Sequence, residues 1–501
     1  MTAPRHRFLA LLACLLAVLG ARAGSAPGKL LVLHPDRPIE LLPTPAGAVP
    51  AAMAREVLPD ESPPPLWRLA PGGDGLVLEP AGSLPPATLA AFLLPSPRPG
   101  PPLVVASCRG RLVLVEPREE GSTFTTLAAS PWLAATRVDV IGRGSGGVDL
   151  LAPTWAGALW LRGTAPGRWT APSWLPLPRS ATVGPGAIHV RAARWPTPRG
   201  DRPPTVLWAE DHVEGTIAVY RGTPAARATA TPPHDPPPLV ARARLPGRFR
   251  WAGREALLPG RPGQADLVVR LLGWPRDRGP RAPGRLIALP LLPRRDGLAA
   301  DPVLDAELPL RTVESSPLLD LADADRDGTT DILVGGLPRR GSHRVAVFLF
   351  RGEAASRFAR EGLAWTARVG KEPALLALRD LDGDGVPDVL ASARGVLSFW
   401  RGRREAEDGV PWTAKPTATW SLPGRDLRGA APVVVVKTPG ERLLVMPLLP
   451  RREGPLLFVG AALPREAGKP QGQGDVLRGR SVPSLPEPSV PSPAEFFAAT
   501  R

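Results

Sequence analysis

Two short acidic runs carry the clearest chemistry in this 501-residue chain. Asp323, Asp325 and Asp327 alternate with other residues, Gly328 follows, and Asp331 closes the run before the apolar segment Ile332 to Val334. Asp380, Asp382, Asp384, Gly385 and Asp388 repeat the pattern in the same register before Val389 and Leu390. Oxygen ligands at positions one, three and five of such a run can turn toward one centre, and the glycine after the third permits the sharp bend. The backbone carbonyl at position seven, Thr329 or Val386, is placed to add a neutral oxygen, and Asp331 or Asp388 at position nine would supply the last carboxylate. Four carboxylates within nine residues repel one another, so a divalent cation is the natural compensation. An all-oxygen set favours Ca2+ over zinc or copper, which would call for His or Cys. Position twelve holds no Glu and strands rather than helices follow, which argues against an EF-hand. Two structural calcium sites are therefore expected.

These loops belong to a larger repeat, and periods of this size decide a fold. Each run feeds a first apolar strand and then a second that ends in Arg-Gly, at Arg351-Gly352 and at Arg401-Gly402. Five further units fall into step with eroded loops. Asp149 leads to Arg162-Gly163 and the unit at Thr205 leads to Arg221-Gly222, while Asp266, Pro102 and Pro432 open the others. Arg143 to Gly147 and Pro259 to Gln264 have lost the acidic ligands, so metal binding is not expected there. Counted at position nine, the units sit at 102, 149, 205, 266, 331, 388 and 432.

The pattern D-x-D-x-D-G-x-x-D with its following strands resembles the FG-GAP (VCBS) repeats of integrin-α-like proteins, most clearly over residues 315–402 and more faintly over about 100–450. That resemblance implies an all-β fold, a β-propeller of four-stranded antiparallel blades with calcium in hairpin loops between blade strands. Seven units suggest seven blades. The Pro- and Trp-rich intervals, such as Ala171 to Pro178 and Trp365 to Val369, would supply the outer strands. Either Leu30 to Leu33 with Leu76 to Leu78, or Pro455 to Val459, could complete a shared blade.

Composition agrees with many short strands and turns. The chain has 67 Pro and 52 Gly, 43% hydrophobic and 22% charged residues, and no collagen period. The net charge of +15 comes almost wholly from scattered Arg with no aromatic-laced stripe, which argues against nucleic-acid recognition. Arg5 and Arg7, the apolar run Phe8 to Leu19 and Ala21-Arg22-Ala23 read as an export signal over residues 1–23, too short to span a bilayer. Cys14 after Leu11, Leu12 and Ala13 makes a lipid anchor the lesser alternative. Cleavage would leave Cys108 as the lone, inert thiol, so no intramolecular disulfide can staple the mature chain. Residues 24–463 are expected to form the propeller and 464–501 a disordered Pro/Ser/Gly-rich tail.

No phosphate loop, nucleophile elbow or H-E-x-x-H motif occurs. His189, His212 and His234 lack partners at ligand spacing, and Trp160, Trp208 and Trp400 read as core. The functional expectation is an exported, monomeric chain of the periplasm, cell surface or medium, with no transmembrane span in its mature form. It would act as a non-enzymatic binding or adhesion scaffold for a protein or glycan. The alternative is a carbohydrate-active propeller enzyme with its site at the central channel, which linear sequence does not reveal.

Overall fold

Runs of consecutive apolar residues become strands buried on both faces, and alternating runs become strands with one face in water. In the computed structural model, Val104–Cys108, Asp331–Gly336 and Asp388–Ala393 are buried at every position. Leu304–Leu308 and Ala418–Ser421 instead alternate buried with exposed. The structure describes most of residues 30–464 apart from 176–205, 222–238, 259–266, 291–301 and shorter intervals such as 143–147 and 404–408. For 206–211, 216–221, 239–244 and 249–255 it describes the backbone alone. The expected export signal, the tail from residue 465 on, His189, His212, His234 and Asp266 lie outside the described residues, as does the side chain of Trp208.

Strands that follow one another in sequence pair antiparallel into small sheets. Leu318–Ala322, Asp331–Gly336, Arg344–Phe350 and Leu363–Arg368 form one sheet in that order. Ala374–Arg379, Asp388–Ala393, Val396–Trp400 and Ala418–Ser421 form the next in the same order. Among the described residues there is no α-helix, and apart from two short two-stranded ribbons there are eight sheets: six four-stranded, one with three strands (Val206–Asp211, Thr216–Arg221, Leu239–Arg244) and the last with six. This all-β succession of mostly four-stranded meanders is a β-propeller. The seven repeat units account for seven sheets. The additional one is built from Ile39–Leu41, Ala52–Glu56, Pro65–Gly72 and Gly75–Ser83 and carries neither an acidic loop nor Arg-Gly. Outer strands appear at Ser173–Leu175, inside the first Pro- and Trp-rich interval, and at Leu363–Arg368, which overlaps the second.

The core lies between sheets, because the fully buried strands send alternate side chains to opposite neighbours. Ile332 and Val334 pack with Leu267, Val269 and Leu286 of the preceding sheet. Leu333 packs with Leu378, Val389 and Trp400 of the following one. Leu390 and Phe399 continue the series onto Val435 and Leu444. Each such side chain contributes about 1.5–3 kcal/mol by leaving water. Trp160 and Trp400 are core residues, as is Cys108, whose Sγ lies 3.5 Å from Thr88 Oγ1.

The series closes on itself. Val434, Val436 and Phe458 of the last sheet share one cluster with Ile39, Leu41 and Ala54 of the first. Leu30–Leu33 pairs antiparallel with Leu457–Ala462 as the outermost strand of that last sheet. Of the candidate closing segments, Leu30 to Leu33 thus pairs with the strand that begins at Leu457, while Leu76 to Leu78 lies in Gly75–Ser83 of the first sheet. Ala48–Val49 adds a parallel pairing to Val435 and Val436. Among the described residues no helix is long and apolar enough to cross a membrane.

Candidate metal loops and their position-nine aspartates

Each acidic loop joins the first and second strands of its sheet, and both close in the same register: Ala322 pairs with Asp331, and Arg379 with Asp388. Inside the loop every carboxylate accepts a backbone N–H from a residue further on. In the first loop Gly328 N donates to Asp323 Oδ2 (3.0 Å), Asp327 N to Asp325 Oδ1 (3.3 Å) and Thr329 N to Asp327 Oδ1 (2.6 Å). In the second, Gly385 N donates to Asp380 Oδ2 (2.9 Å), Asp384 N to Asp382 Oδ1 (3.2 Å) and Val386 N to Asp384 Oδ1 (2.8 Å). These bonds turn the chain tightly around the carboxylates. Two positions per loop take a left-handed backbone, Arg326 (φ 61°) with Gly328 (84°) and Gly383 (77°) with Gly385 (87°). The left-handed position four is not marked in the sequence, since one loop fills it with Arg and the other with Gly.

As a result, Asp323, Asp325 and Asp327 each present an oxygen within 4.8 Å of the others, and Asp380, Asp382 and Asp384 do the same. Asp323 Oδ1 is buried with no hydrogen-bond partner. A carboxylate oxygen shut away from both water and donors calls for a cation. The donor set is all oxygen, so the residues present fit Ca2+. Thr329 and Val386 occupy position seven, Val386 with its side chain fully buried.

Asp331 and Asp388 do something the sequence pattern does not single out. Asp331 accepts from Gly352 N at Oδ1 (2.8 Å) and from Ala324 N at Oδ2 (2.9 Å). Asp388 accepts from Gly402 N at Oδ1 (2.8 Å), and from Leu381 N (2.9 Å) and Asp382 N (3.2 Å) at Oδ2. The position-nine carboxylate therefore ties the start of its own loop to the glycine two residues past the third strand. Asp149, in a unit without an acidic loop, accepts from Gly163 N at 2.8 Å. The glycine of Arg-Gly is thus the partner of position nine. It must be glycine because a Cβ there would run into the backbone carbonyl of Val148, Thr330 or Pro387. At Gly402 that Cβ would lie 2.5 Å from both Pro387 O and Val386 Cγ1. Gly402→Ala is expected to cost about 2 kcal/mol, read as a lowered denaturation midpoint. An unchanged midpoint would mean the Asp388 tie bears no weight.

Burial is the main cause that pushes the Asp331 carboxyl up to about 6 and that of Asp388 up to about 8. The charge of Asp382 adds to the shift at Asp388, and the donated N–H groups oppose it. Burial likewise raises Asp382, with Arg401 acting against it.

Arginines surround both loops. Arg351 Nε lies 3.4 Å from Asp325 Oδ2, and Arg401 Nε lies 2.6 Å from Asp382 Oδ2. Both are ion-pair contacts rather than aligned hydrogen bonds. Arg326 donates to the Asp384 carbonyl, which links the first loop to the second. Arg442 of the last sheet donates to Leu381 O at 3.3 Å. On the first strand of its sheet, Asp320 is pushed up to about 6 by burial, with the Arg379 guanidinium opposing the shift.

The FG-GAP-like repeat family matches residues 323–391, which span the first loop, its sheet and the second loop with its strand. No curated protein matches the chain. Among solved structures, it is similar to the WD40 domain of SCAP from fission yeast at 11% identity, over 87% of this chain and 96% of that one, with a TM-score of 0.39. A puromycin hydrolase variant aligns at 15% identity over 87% of this chain and 56% of its own, with a TM-score of 0.33. A Lactobacillus plantarum protein aligns at 9% identity over 78% and 89% of the two chains, with a TM-score of 0.27. The chain is an all-β propeller that carries an FG-GAP-like repeat at residues 323–391.

Proposed function

We propose that this protein is an exported, calcium-stabilised propeller that acts as a non-enzymatic binding or adhesion scaffold for a protein or glycan partner. The observation that carries the calcium part is the convergence of three carboxylates in each of two equivalent loops, one of them with a buried, unpartnered Asp323 Oδ1. Asp323, Asp325 and Asp327 would hold one ion, and Asp380, Asp382 and Asp384 the other. The position-seven carbonyls of Thr329 and Val386 and the position-nine carboxylates of Asp331 and Asp388 complete the two proposed ligand sets. Bound calcium supplies charge neutralisation, which lets the carboxylates remain ionised close together. The chain's own contribution is the N–H framework that holds the loop in shape. The scaffold part is supported by the structural use of buried acids: Asp331 and Asp388 also tie the backbone, as Asp149 does in a unit without an acidic loop.

A carbohydrate-active enzyme is the second reading, and Asp320 is the observation that favours it: a carboxyl raised to about 6 on the first strand of its sheet. Its charged neighbour is Arg379, however, whereas glycoside hydrolysis calls for a second carboxylate. The deciding experiment combines elemental analysis of the purified mature chain with glycan-array and surface-protein binding, each run with calcium and with EDTA. Bound calcium near two per chain, together with saturable binding and no turnover, supports the scaffold. Absence of calcium removes the metal from the account, and hydrolysis of a bound glycan that Asp320→Asn abolishes selects the enzyme.

A further inference from the structure

The arginine before Gly352 or Gly402 holds one position in both repeats. Arg351 and Arg401 each anchor Nη2 on a carbonyl of the next sheet's region, Arg351 on Gly409 O at 3.0 Å and Arg401 on Pro464 O. Each turns Nε toward the position-three aspartate of its own loop. The anchor is independent of the loop, so the guanidinium stays beside the carboxylates whether or not a cation is there. The two pairs differ in closeness and in shielding. Arg401 and Asp382 meet at 2.6 Å with side chains 16% and 10% exposed. Arg351 and Asp325 stand 3.4 Å apart at 41% and 21%. Water screens the second arrangement far more than the first. At position one the loops also differ: Asp380 accepts from Gly383 N at Oδ1 and from Gly385 N at Oδ2, while Asp323 Oδ1 has no partner.

We infer that Arg351 and Arg401 are internal counter-ions that set the cation affinity of their loops, and that Arg401 makes the loop at 380–388 the weaker of two unequal calcium sites. The inference rests on the calcium reading above. A permanent positive charge within a few ångströms of a doubly charged ion opposes its binding, and the opposition grows as water is excluded. The first loop, with a loosely held and solvated arginine and a carboxylate oxygen lacking any donor, takes calcium first.

Calorimetric titration of the full mature chain with calcium tests this. Asp323→Asn with Asp327→Asn silences the first loop, and Asp380→Asn with Asp384→Asn the second, so each constant is assigned. Arg401→Gln removes the charge and keeps a donor for the Pro464 carbonyl, and it is expected to tighten the second site about tenfold. Arg401→Lys should stay near wild type because it restores the charge. Arg351→Gln should tighten the first site by less than about threefold. Equal wild-type constants overturn the inference, as does an Arg401→Gln chain whose second site is unchanged or weakened. Should Arg401→Gln fail to fold, the Arg401→Lys chain and the order of the two wild-type constants decide alone. Wild-type protein that takes up no calcium at either loop instead sinks the calcium reading itself, an outcome distinguishable from two equal sites.

Discussion

In calcium-free buffer, Asp388→Ala is expected to lower the unfolding free energy by about 3–5 kcal/mol, against about 1 kcal/mol for Asp384→Ala in the same loop. Both aspartates look alike in the sequence, but their surroundings differ. Asp388 is fully buried and accepts three backbone N–H groups, from Leu381, Asp382 and Gly402. Its loss strands donors that have no other partner. Asp384 accepts one, from Val386. Urea denaturation of the two variants measures the difference, and equal losses would remove the tie from the account. Asp388 also sets a pH dependence. Its carboxyl is raised from 3.8 to about 8 when folded, so the folded state binds a proton that the unfolded chain has released over that interval. The associated stability is complete below about pH 4 and is lost as pH rises through about 8. Metal-free protein should therefore become less stable from pH 5 to pH 8. Asp388→Asn, which cannot titrate, should flatten that slope, and a slope that survives intact would assign it to other groups.

Calcium removal is the second large effect. At a free calcium concentration a hundredfold above a site's dissociation constant, each ion stabilises the folded chain by about 2.7 kcal/mol. Chelation with EDTA should therefore lower the melting temperature by several degrees, and excess calcium should restore it. The buried Trp365, Trp400 and Trp412, in contact near the second loop, give a fluorescence signal to follow. The double variant Asp323→Asn with Asp380→Asn should melt at the same temperature with and without EDTA. A wild-type curve indifferent to EDTA, or a double variant as sensitive as wild type, would refute a stabilising ion in these loops.

The part of the fold that sequence made legible is the part built from local rules. Alternating carboxylates and a glycine at position six specify a tight oxygen-lined turn, and an unbroken apolar run after it specifies a strand buried on both faces. Both are found at 323–336 and 380–393. The role of position nine was not legible in the acidic loops, where an aspartate that ties the backbone and one that serves a cation occupy the same place. The signal lay in a degenerate unit. Asp149 persists where the other acids are gone, and so does Arg162-Gly163, the pair that the hydrogen bond from Gly163 explains. The N-terminal sheet and the pairing of Leu30–Leu33 with Leu457–Ala462 had no local mark. Each segment is an ordinary apolar run whose partner is chosen by long-range packing.

That last pairing has a kinetic consequence. The earliest described strand completes its edge only against one of the latest, so a ribosome must deliver nearly the whole propeller before the terminal sheet can exist. Loop-closure entropy over such a span, though it grows slowly with length, must be met before the contact stabilises anything. Until then the first sheet's Ile39, Leu41 and Ala54, which end up packed against Val434, Val436 and Phe458, remain open to solvent on that face.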